Sequence, residues 1–207
     1  MFCSLQDCHK DICHHCFPVI NCSLNHENCK INGKFKEILN KNVILVTGCA
    51  GFIGSHVCEF MLKKGFYVYG IDNMHNNYNV LLKEQNIKIL EKYKNFEFTK
   101  EDICTTKIVS KVKPYKIIHL ASMSGVRNSL NNPMDYVDNN IKGFINILQQ
   151  AKDNNVFHIT YASSSSVYGL NDQPFFENDI IDKCNSPYAA SKKCMEVFAQ
   201  TYSQLYS

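Results

Sequence analysis

Several residue types are scarce in this sequence. It contains no tryptophan, and Arg127 is the only arginine among its 22 basic residues. Phosphate backbones are usually bound by arginine forks, and a net charge of +3 is too small for a polyanion-binding face. No run of about 18 apolar residues is present, as a transmembrane helix would need. We therefore expect neither nucleic-acid binding nor a membrane span.

The N-terminal segment is rich in cysteine and histidine but does not resemble a secretory signal. It begins MFCSLQDCHK, without the basic and then apolar layout of a signal peptide, so we expect a cytoplasmic protein with reduced thiols. A change of composition places the boundary of this extension at residues 1–40. Its single Cys-x-x-Cys pair leaves two alternatives open, a zinc site or an extension that binds no metal. The candidate ligands are Cys8, Cys13, Cys16, Cys22, Cys29 and His26.

Residues 41–207 alternate short β-branched runs with amphipathic helical patterns, which predicts an α/β fold. Such strand–helix units form a doubly wound parallel sheet of the Rossmann type. The predicted strands are Val43 to Thr47, Phe66 to Ile71, Phe96 to Thr99, Lys116 to Leu120 and Phe157 to Ala162. The predicted helices are Phe52 to Lys64, Val80 to Tyr93, Thr106 to Val112, Met134 to Lys152 and Pro187 to Tyr206.

The first strand runs directly into a glycine-rich loop and then a helix. Glycines at Gly48, Gly51 and Gly54 allow a tight turn and the close approach of a pyrophosphate to backbone N–H groups. Phe52 and Ile53 begin the helix, whose N-terminus favours an anion. A glycine-rich turn without a ligand is the alternative. The strand–loop–helix context favours a dinucleotide site.

Asp72 ends the second strand, eighteen positions after Gly54. A carboxylate there can accept hydrogen bonds from the ribose hydroxyls of a dinucleotide and repel the extra phosphate of NADP. This predicts NAD as the cofactor, with a solvated turn residue as the alternative. Asn73 follows Asp72, and Asp102 with Ile103 follows the third strand, where an adenine edge can be held.

Tyr188 and Lys192 lie four positions apart at the start of the last predicted helix, and therefore on one face. An ammonium one turn from a phenol stabilises the phenolate, which can then act as a general base for a hydroxyl. A surface helix with an ordinary tyrosine–lysine pair is the alternative. The preceding strand ends in a serine run at 163–166, where doubly wound sheets place their chemistry.

Together these motifs resemble the extended short-chain dehydrogenase/reductase superfamily, and within it the NAD-dependent epimerases and dehydratases that act on nucleotide sugars. UDP-glucuronate 4-epimerases are the most similar, over about residues 42 to 207. The stretches that carry this resemblance are Thr-Gly-Cys-Ala-Gly-Phe-Ile-Gly-Ser-His from Thr47, Gly70-Ile-Asp-Asn followed by Tyr78, His119-Leu-Ala-Ser, Gly125-Val-Arg127, Tyr136-Val-Asp-Asn-Asn140 and Ser-Ser-Ser-Ser-Val-Tyr-Gly before Leu170.

The resemblance implies roles for particular residues. Ser164, Tyr188 and Lys192 would be catalytic, and Arg127, Ser164, Ser165 and Ser166 would contact a UDP-sugar. NAD would be contacted by the glycine loop and by residues from several other parts of the chain, namely Asp72, Asn73, Asp102, Ile103, Leu120, Ala121, Ser122, Asn139, Tyr188 and Lys192. Related dehydratases carry an Asp-Glu pair where this chain has Ser165 and Ser166, which favours an epimerase.

The chain departs from the family pattern at its C-terminal end. The family continues well beyond the Tyr-x-x-x-Lys helix, so we expect this chain to lack the usual C-terminal substrate domain and to be a poor catalyst alone. We also expect an exposed sheet edge and a homo-oligomer or a missing C-terminal partner. The apolar residues expected to be partly uncovered are Ile145, Ile147, Leu148, Phe198 and Leu205. A UDP-sugar decarboxylase, a dehydratase and a non-catalytic NAD-binding module are the alternative functions.

Overall fold

The computed structural model describes residues 42–77 and 79–206. The cysteine- and histidine-rich segment lies outside the described residues, together with its candidate metal ligands Cys8, Cys13, Cys16, Cys22, Cys29 and His26. Within the described ranges, no helix is both long enough and apolar enough to cross a membrane. No group of three histidine, cysteine or acidic side chains is suited to hold a metal ion in those ranges.

Five parallel strands form one sheet in the order β3-β2-β1-β4-β5. Their bounds are β1 Val43–Thr47, β2 Tyr67–Asp72, β3 Phe96–Lys100, β4 Lys116–His119 and β5 His158–Tyr161. The chain leaves the central β1 in one direction through β2 and β3, and crosses β1 to continue through β4 and β5. This is the doubly wound arrangement that the sequence predicts.

Helices cover both faces of the sheet. Successive residues of β1 point to opposite faces, so they belong to different core clusters. Ile44 and Val46 belong to a core cluster with residues of helices α1 (Phe52–Lys63) and α2 (Val80–Leu90). Leu45 lies in a second cluster with residues of α3 (Ile108–Val112) and α6 (Gly143–Asp153). A strand buried on both faces must be apolar throughout, which explains the run Val-Ile-Leu-Val.

The predicted helix from Met134 to Lys152 is interrupted in the structure. A short helix α4 (Val126–Asn131) and a single turn α5 (Pro133–Tyr136) precede a π-helical turn at Val137–Lys142, and α6 then begins at Gly143. The π turn carries Asn140, a fully buried side chain whose amide hydrogen-bonds both backbone groups of Met123. The 3.6-residue periodicity did not reveal this widened turn, because the contact with Met123 is tertiary.

The last helix, α7 (Pro187–Tyr206), packs against α6 through a small cluster of Phe144, Leu148 and Met195. The expectation that Ile147 and Leu148 are partly uncovered was wrong. Ile147 is 0% exposed and packs against the sheet, and Leu148 is 6% exposed and packs against α7. Leu205 is 65% exposed and Ile145 and Phe198 are partly exposed, as expected. In the described sheet β5 is an edge strand.

Ser186 caps the N-terminus of α7, as the Ser-Pro pair directly before Tyr188 in the sequence indicates. The Ser186 hydroxyl oxygen accepts a hydrogen bond of 3.1 Å from the N–H of Ala189, and Pro187 occupies the first helical position. Proline has no N–H to leave unsatisfied there, and the serine satisfies one of the others. The cap fixes the start of the helix one residue before Tyr188.

We predict that Ser186→Ala lowers the free energy of unfolding by about 1 kcal/mol, because a buried N–H loses its acceptor. Urea denaturation followed by circular dichroism measures this change. Ser203→Ala, at an exposed position near the other end of α7, is the matched control and should leave stability nearly unchanged. An equal loss in both variants would contradict the capping role of Ser186.

Candidate active site

A crevice opens at the carboxyl end of β1, where the chain departs to opposite sides of the sheet. β1 pairs with β2 on one side and with β4 on the other, so the loops that follow β1 and β4 separate there. The buried Thr47 joins them, because its hydroxyl oxygen accepts hydrogen bonds from the N–H groups of Leu120 (3.2 Å) and Ala121 (3.1 Å). The position of the crevice therefore follows from the strand order.

The glycine loop takes the conformation that the motif predicts. Gly48 has a φ of +71°, and a Cβ there would lie 2.7 Å from the backbone nitrogen of Ala121. A Cβ on Gly54 would overlap the carbonyl oxygen of Gly48. No side chain caps the first turn of α1 after Gly51, so its backbone N–H groups can bind an anion. This geometry fits the diphosphate of a dinucleotide.

Most of the predicted cofactor residues line one cleft at this crevice. These are Gly48, Gly51, Asp72, Asn73, Ile103, Leu120, Ala121, Ser122 and Asn139. The lining also contains residues that the sequence did not indicate, namely His75, Asn77, Lys83, Glu101, Met123 and Ser124. Phe52 and Ile53 lie outside it and are 72% and 60% exposed. The cleft thus unites loops from four strands.

Asp102 does not line the cleft but supports a residue that does. Its carboxylate accepts hydrogen bonds from the N–H of Cys104 at 2.8 Å and from the Asn73 amide at 3.1 Å. Burial opposes ionisation of Asp102, but these hydrogen bonds outweigh it, and the pKa of the carboxyl is lowered. Asp102 therefore orients Asn73.

The carboxylate of Asp72 already has partners in the structure. It accepts hydrogen bonds from the N–H groups of Met74 (2.8 Å) and Ala50 (3.3 Å). The ammonium of Lys83 lies 2.9 Å from the same carboxylate, and both side chains are over nine-tenths buried. The sequence prediction treated Asp72 as an uncompensated charge. The structure instead presents a buried ion pair at this end of the cleft.

Lys83 was missed, although the sequence holds one indication of its position. It shares the buried face of α2 with Ile87 and Leu90, at helical spacing. A lysine on an otherwise apolar face usually has a buried partner, because an unpaired buried charge is costly. Only the fold identifies that partner as Asp72.

Tyr188 and Lys192 lie on one face of α7, as the spacing predicts. Tyr188 is partly buried, and its ring meets that of Tyr136 edge to face with centroids 6.0 Å apart. Lys192 is 3% exposed and donates a hydrogen bond of 3.0 Å to the carbonyl oxygen of Ala162, just beyond β5. Burial lowers the pKa of the Lys192 ammonium to about 8. Helix and strand are thus joined at the predicted catalytic lysine.

A buried histidine, His119, is the last residue of β4 at the crevice. His119 Nδ1 is 2.9 Å from the Thr47 hydroxyl. That oxygen already accepts two N–H groups, so its proton is directed at Nδ1 and the imidazole is neutral with its proton on Nε2. Burial, with a contribution from the charge of Lys192, lowers the pKa of His119 to about 3. His119 therefore adds no positive charge beside Lys192.

The serine run follows β5 directly. Ser164 is partly buried, and its hydroxyl oxygen accepts the N–H of Ser166 at 3.2 Å, which caps the 3-10 turn Ser165–Tyr168. That bond leaves the hydroxyl proton of Ser164 able to donate. Ser165 is exposed and Ser166 partly buried. Arg127 lies exposed on α4, away from the buried groups.

Asn140 links the cleft to the helix that carries Tyr188. Its amide nitrogen donates to the Ser191 hydroxyl at 2.9 Å and to the Met123 carbonyl at 3.0 Å. The Ser191 hydroxyl in turn donates to the carbonyl of Tyr188 at 2.8 Å. Met123 lines the cleft, so one buried side chain connects both parts of the site. Sequence reasoning noted Asn140 only as part of a motif.

Comparison with known families agrees with this arrangement. Residues 45–207 match the family described as GDP-mannose 4,6 dehydratase, which lies within the NAD-dependent epimerase/dehydratase branch of the extended short-chain dehydrogenases/reductases. The chain belongs to this family. The superfamily resemblance predicted from the motifs is therefore confirmed.

The chain is also similar to individual relatives. It is 46% identical over 169 residues to protein CapI of Staphylococcus aureus, covering 79% of this chain and 50% of that protein. Over 166 residues it is 45% identical to the UDP-glucuronate 4-epimerase of Thermodesulfobacterium geofontis, covering 78% of this chain and 51% of the relative. The chain thus spans about half the length of the curated relatives it matches.

A solved structure has the same fold and carries ligands. It is the UDP-glucuronic acid 4-epimerase of Bacillus cereus in complex with UDP-glucuronic acid and NAD. The TM-score is 0.74 at 34% identity, covering 79% of this chain and 53% of that chain. The Rossmann-type fold predicted from the sequence is confirmed by this match.

We predict that Lys192 gives stability a characteristic pH dependence. Its folded pKa of about 8 lies below the ordinary 10.5, so between these values the unfolded chain binds a proton that the folded chain does not. The contribution of Lys192 to the free energy of unfolding therefore rises with pH between about pH 8 and pH 10.5, by on the order of 3 kcal/mol. Below about pH 8 the buried lysine is charged and its full destabilising effect is present.

Urea denaturation at pH 8 and pH 10, with a thiol reductant, tests this for the wild type and Lys192→Met. As pH rises, the wild type should gain unfolding free energy relative to Lys192→Met. Lys193→Met, on the more exposed side of α7, is the control for altered helix charge and should show no such trend. A pH-independent difference for Lys192→Met would contradict the burial of its ammonium.

Proposed function

We propose that this chain is the NAD-binding and catalytic part of a nucleotide-sugar 4-epimerase that interconverts UDP-glucuronate and UDP-galacturonate. The observation that carries the proposal is the position of Tyr188 and the buried Lys192. Lys192 is joined to the end of β5, and Tyr188 is linked through Ser191 and Asn140 to Met123 of the dinucleotide-type cleft. The similarity to UDP-glucuronate 4-epimerases supports the substrate.

The glycine loop would hold the diphosphate of NAD, and the residues after β4 would face its nicotinamide end. Bound NAD would supply the acceptor for the hydride from C4 of the sugar and return that hydride to the opposite face of the 4-keto sugar. No net oxidation results. The remaining task, removal and return of the proton on the C4 hydroxyl, falls to side chains of this chain.

Tyr188 is the proposed general base. Its phenolate would take the C4 hydroxyl proton as the hydride leaves C4, and the phenol would return it once the 4-keto sugar has turned. The Lys192 ammonium stabilises the phenolate electrostatically, and the hydroxyl of Ser164 would donate a hydrogen bond to the reacting oxygen. The neutral His119 leaves Lys192 as the local positive charge within the described part of this site.

The serines at 165 and 166 favour epimerisation over elimination of water. A dehydratase needs side chains that exchange protons near neutral pH, whereas a serine hydroxyl serves mainly as a hydrogen-bond donor and acceptor. Ser165, Ser166 and the exposed Arg127 instead suit an anionic sugar, whose carboxylate they would bind. The family description names a dehydratase, so this local difference supports the choice within the family.

We predict that Tyr188→Phe lowers the rate of UDP-glucuronate conversion at least a hundredfold, because the ring is kept and the base is removed. Separation of UDP-glucuronate from UDP-galacturonate by anion-exchange chromatography measures the rate. Tyr202→Phe, on the same helix and away from the cleft, is the control. Retained activity in Tyr188→Phe would overturn the mechanism.

The assay should use both the 207-residue chain and the chain joined to the C-terminal half of the Thermodesulfobacterium geofontis relative. Binding energy from remote parts of a substrate supports turnover as well as affinity. We therefore expect much faster conversion in the fused protein. If the fused protein binds NAD but converts no UDP-sugar, the proposed epimerase function is wrong.

A further inference from the structure

The loop after β5 is attached to α7 at two successive residues. The ammonium of Lys192 donates a hydrogen bond of 3.0 Å to the carbonyl oxygen of Ala162. The hydroxyl of Ser163 donates a hydrogen bond of 2.5 Å to Oε1 of Glu196. Lys192 and Glu196 lie one helical turn apart, about 6 Å along the helix axis. A single contact would let the loop pivot against α7, whereas two separated contacts fix its direction as well as its position.

Ser164 follows this attachment directly, and its hydroxyl is the group proposed to donate to the reacting oxygen. Its backbone is extended, and its hydroxyl oxygen accepts the N–H of Ser166 at 3.2 Å. The carbonyl oxygen of Ser164 accepts the N–H of the buried Val167 at 3.1 Å. The direction of the Ser164 hydroxyl therefore depends on how this turn is held against α7, the helix that also carries Tyr188.

The carboxylate of Glu196 is suited to hold the turn because it takes no part in the proposed chemistry. Its Oε2 lies 3.3 Å from the ammonium of Lys193, which leaves Oε1 for the Ser163 hydroxyl. An ionised acceptor makes a shorter and stronger hydrogen bond than a neutral one. Lys192, in contrast, is proposed to stabilise a phenolate that forms during the reaction, so its contact with the loop changes when that charge appears.

We propose that Glu196 is a positioning residue, which acts through the Ser163 hydroxyl to hold the turn that presents Ser164 to the reacting oxygen. The inference deepens the proposed function and rests on it for the role of Ser164. The sequence does not single out Glu196, because an acidic residue eight positions after Tyr188 is typical of a solvated helix face. The contact with Ser163 is what distinguishes it.

Amide hydrogen exchange of the 207-residue chain, measured by NMR, tests this contact without any sugar turnover. Glu196→Ala should speed exchange at Ser166 and Val167, whose N–H groups are bonded to Ser164, by roughly threefold or more, because the turn opens more often. Alanine is a strong helix former, so α7 itself is not weakened. Exchange at Val46, in the central strand β1, should stay unchanged.

Three further variants separate the hydrogen bond from other effects. Glu196→Gln keeps an acceptor for the Ser163 hydroxyl and should exchange more like the wild type than like Glu196→Ala. Ser163→Ala removes the donor and should match Glu196→Ala, with no further increase in the double variant. Lys193→Met removes the ion-pair partner of Glu196 and should leave exchange unchanged, because a partly exposed ion pair contributes little.

Kinetics of the fused protein relate the turn to turnover. Glu196→Ala should lower kcat for UDP-glucuronate by roughly threefold or more with little change in KM, because a hydrogen bond to the reacting oxygen acts mainly in the transition state. In a Ser164→Ala background, Glu196→Ala should have no further effect on kcat. Independent losses from the two substitutions would show that Glu196 acts by another route, and would overturn the inference.

Unchanged exchange at Ser166 and Val167 in Glu196→Ala would also overturn it, and so would an equal increase at Val46, which indicates general destabilisation. Equal exchange in Glu196→Ala and either Glu196→Gln or Lys193→Met would assign the effect to the ion pair instead. These results leave the epimerase proposal standing, because Tyr188→Phe tests it separately. A fused wild type that converts no UDP-glucuronate loses the proposed function, whereas the exchange measurements still decide whether Glu196 holds the turn.

Discussion

The site depends on the contact between the ends of β1 and β4, where Thr47 receives the N–H groups of Leu120 and Ala121. That contact joins the loop after β1 to the loop after β4, although the chain continues from these strands toward opposite sides of the sheet. The same hydroxyl lies 2.9 Å from Nδ1 of His119, and the charge of Lys192 contributes to lowering the pKa of this histidine. One threonine therefore connects the glycine loop, the cleft wall and the buried His119, and a change of register at β4 would disturb all three.

A second constraint is electrostatic. Lys83 and Lys192 are both nearly fully buried, yet their environments differ. Lys83 has the carboxylate of Asp72 beside it, so the two charges offset each other at this end of the cleft. Lys192 donates to the neutral carbonyl of Ala162, and burial lowers its pKa. A lysine that donates to a neutral carbonyl is suited to stabilise a phenolate that forms during a reaction, whereas the ion pair of Lys83 holds the buried carboxylate of Asp72 in its charged form.

The buried Asn140 shows how the fold relates binding to chemistry. It lies in a π turn, a feature that is often associated with functional sites, and it joins Met123 of the cleft to Ser191 of α7. Because these hydrogen bonds are buried, they fix the distance between the cleft wall and the helix that carries Tyr188. The wider turn is thus a consequence of the site geometry rather than of local helix preference.

The sequence by itself determined the sheet class, the glycine loop, the Tyr188–Lys192 face and the Ser186 cap, since each depends on local spacing or on strand–helix alternation. It also predicted most of the cleft lining, because parallel strands bring their carboxyl ends to one edge. The partner of Asp72, the neutral state of His119 and the break at Val137–Lys142 were decided only by the tertiary structure. Those features depend on groups far apart in the chain, and their energies come from burial and charge compensation, which exist only once the helices have packed on the sheet.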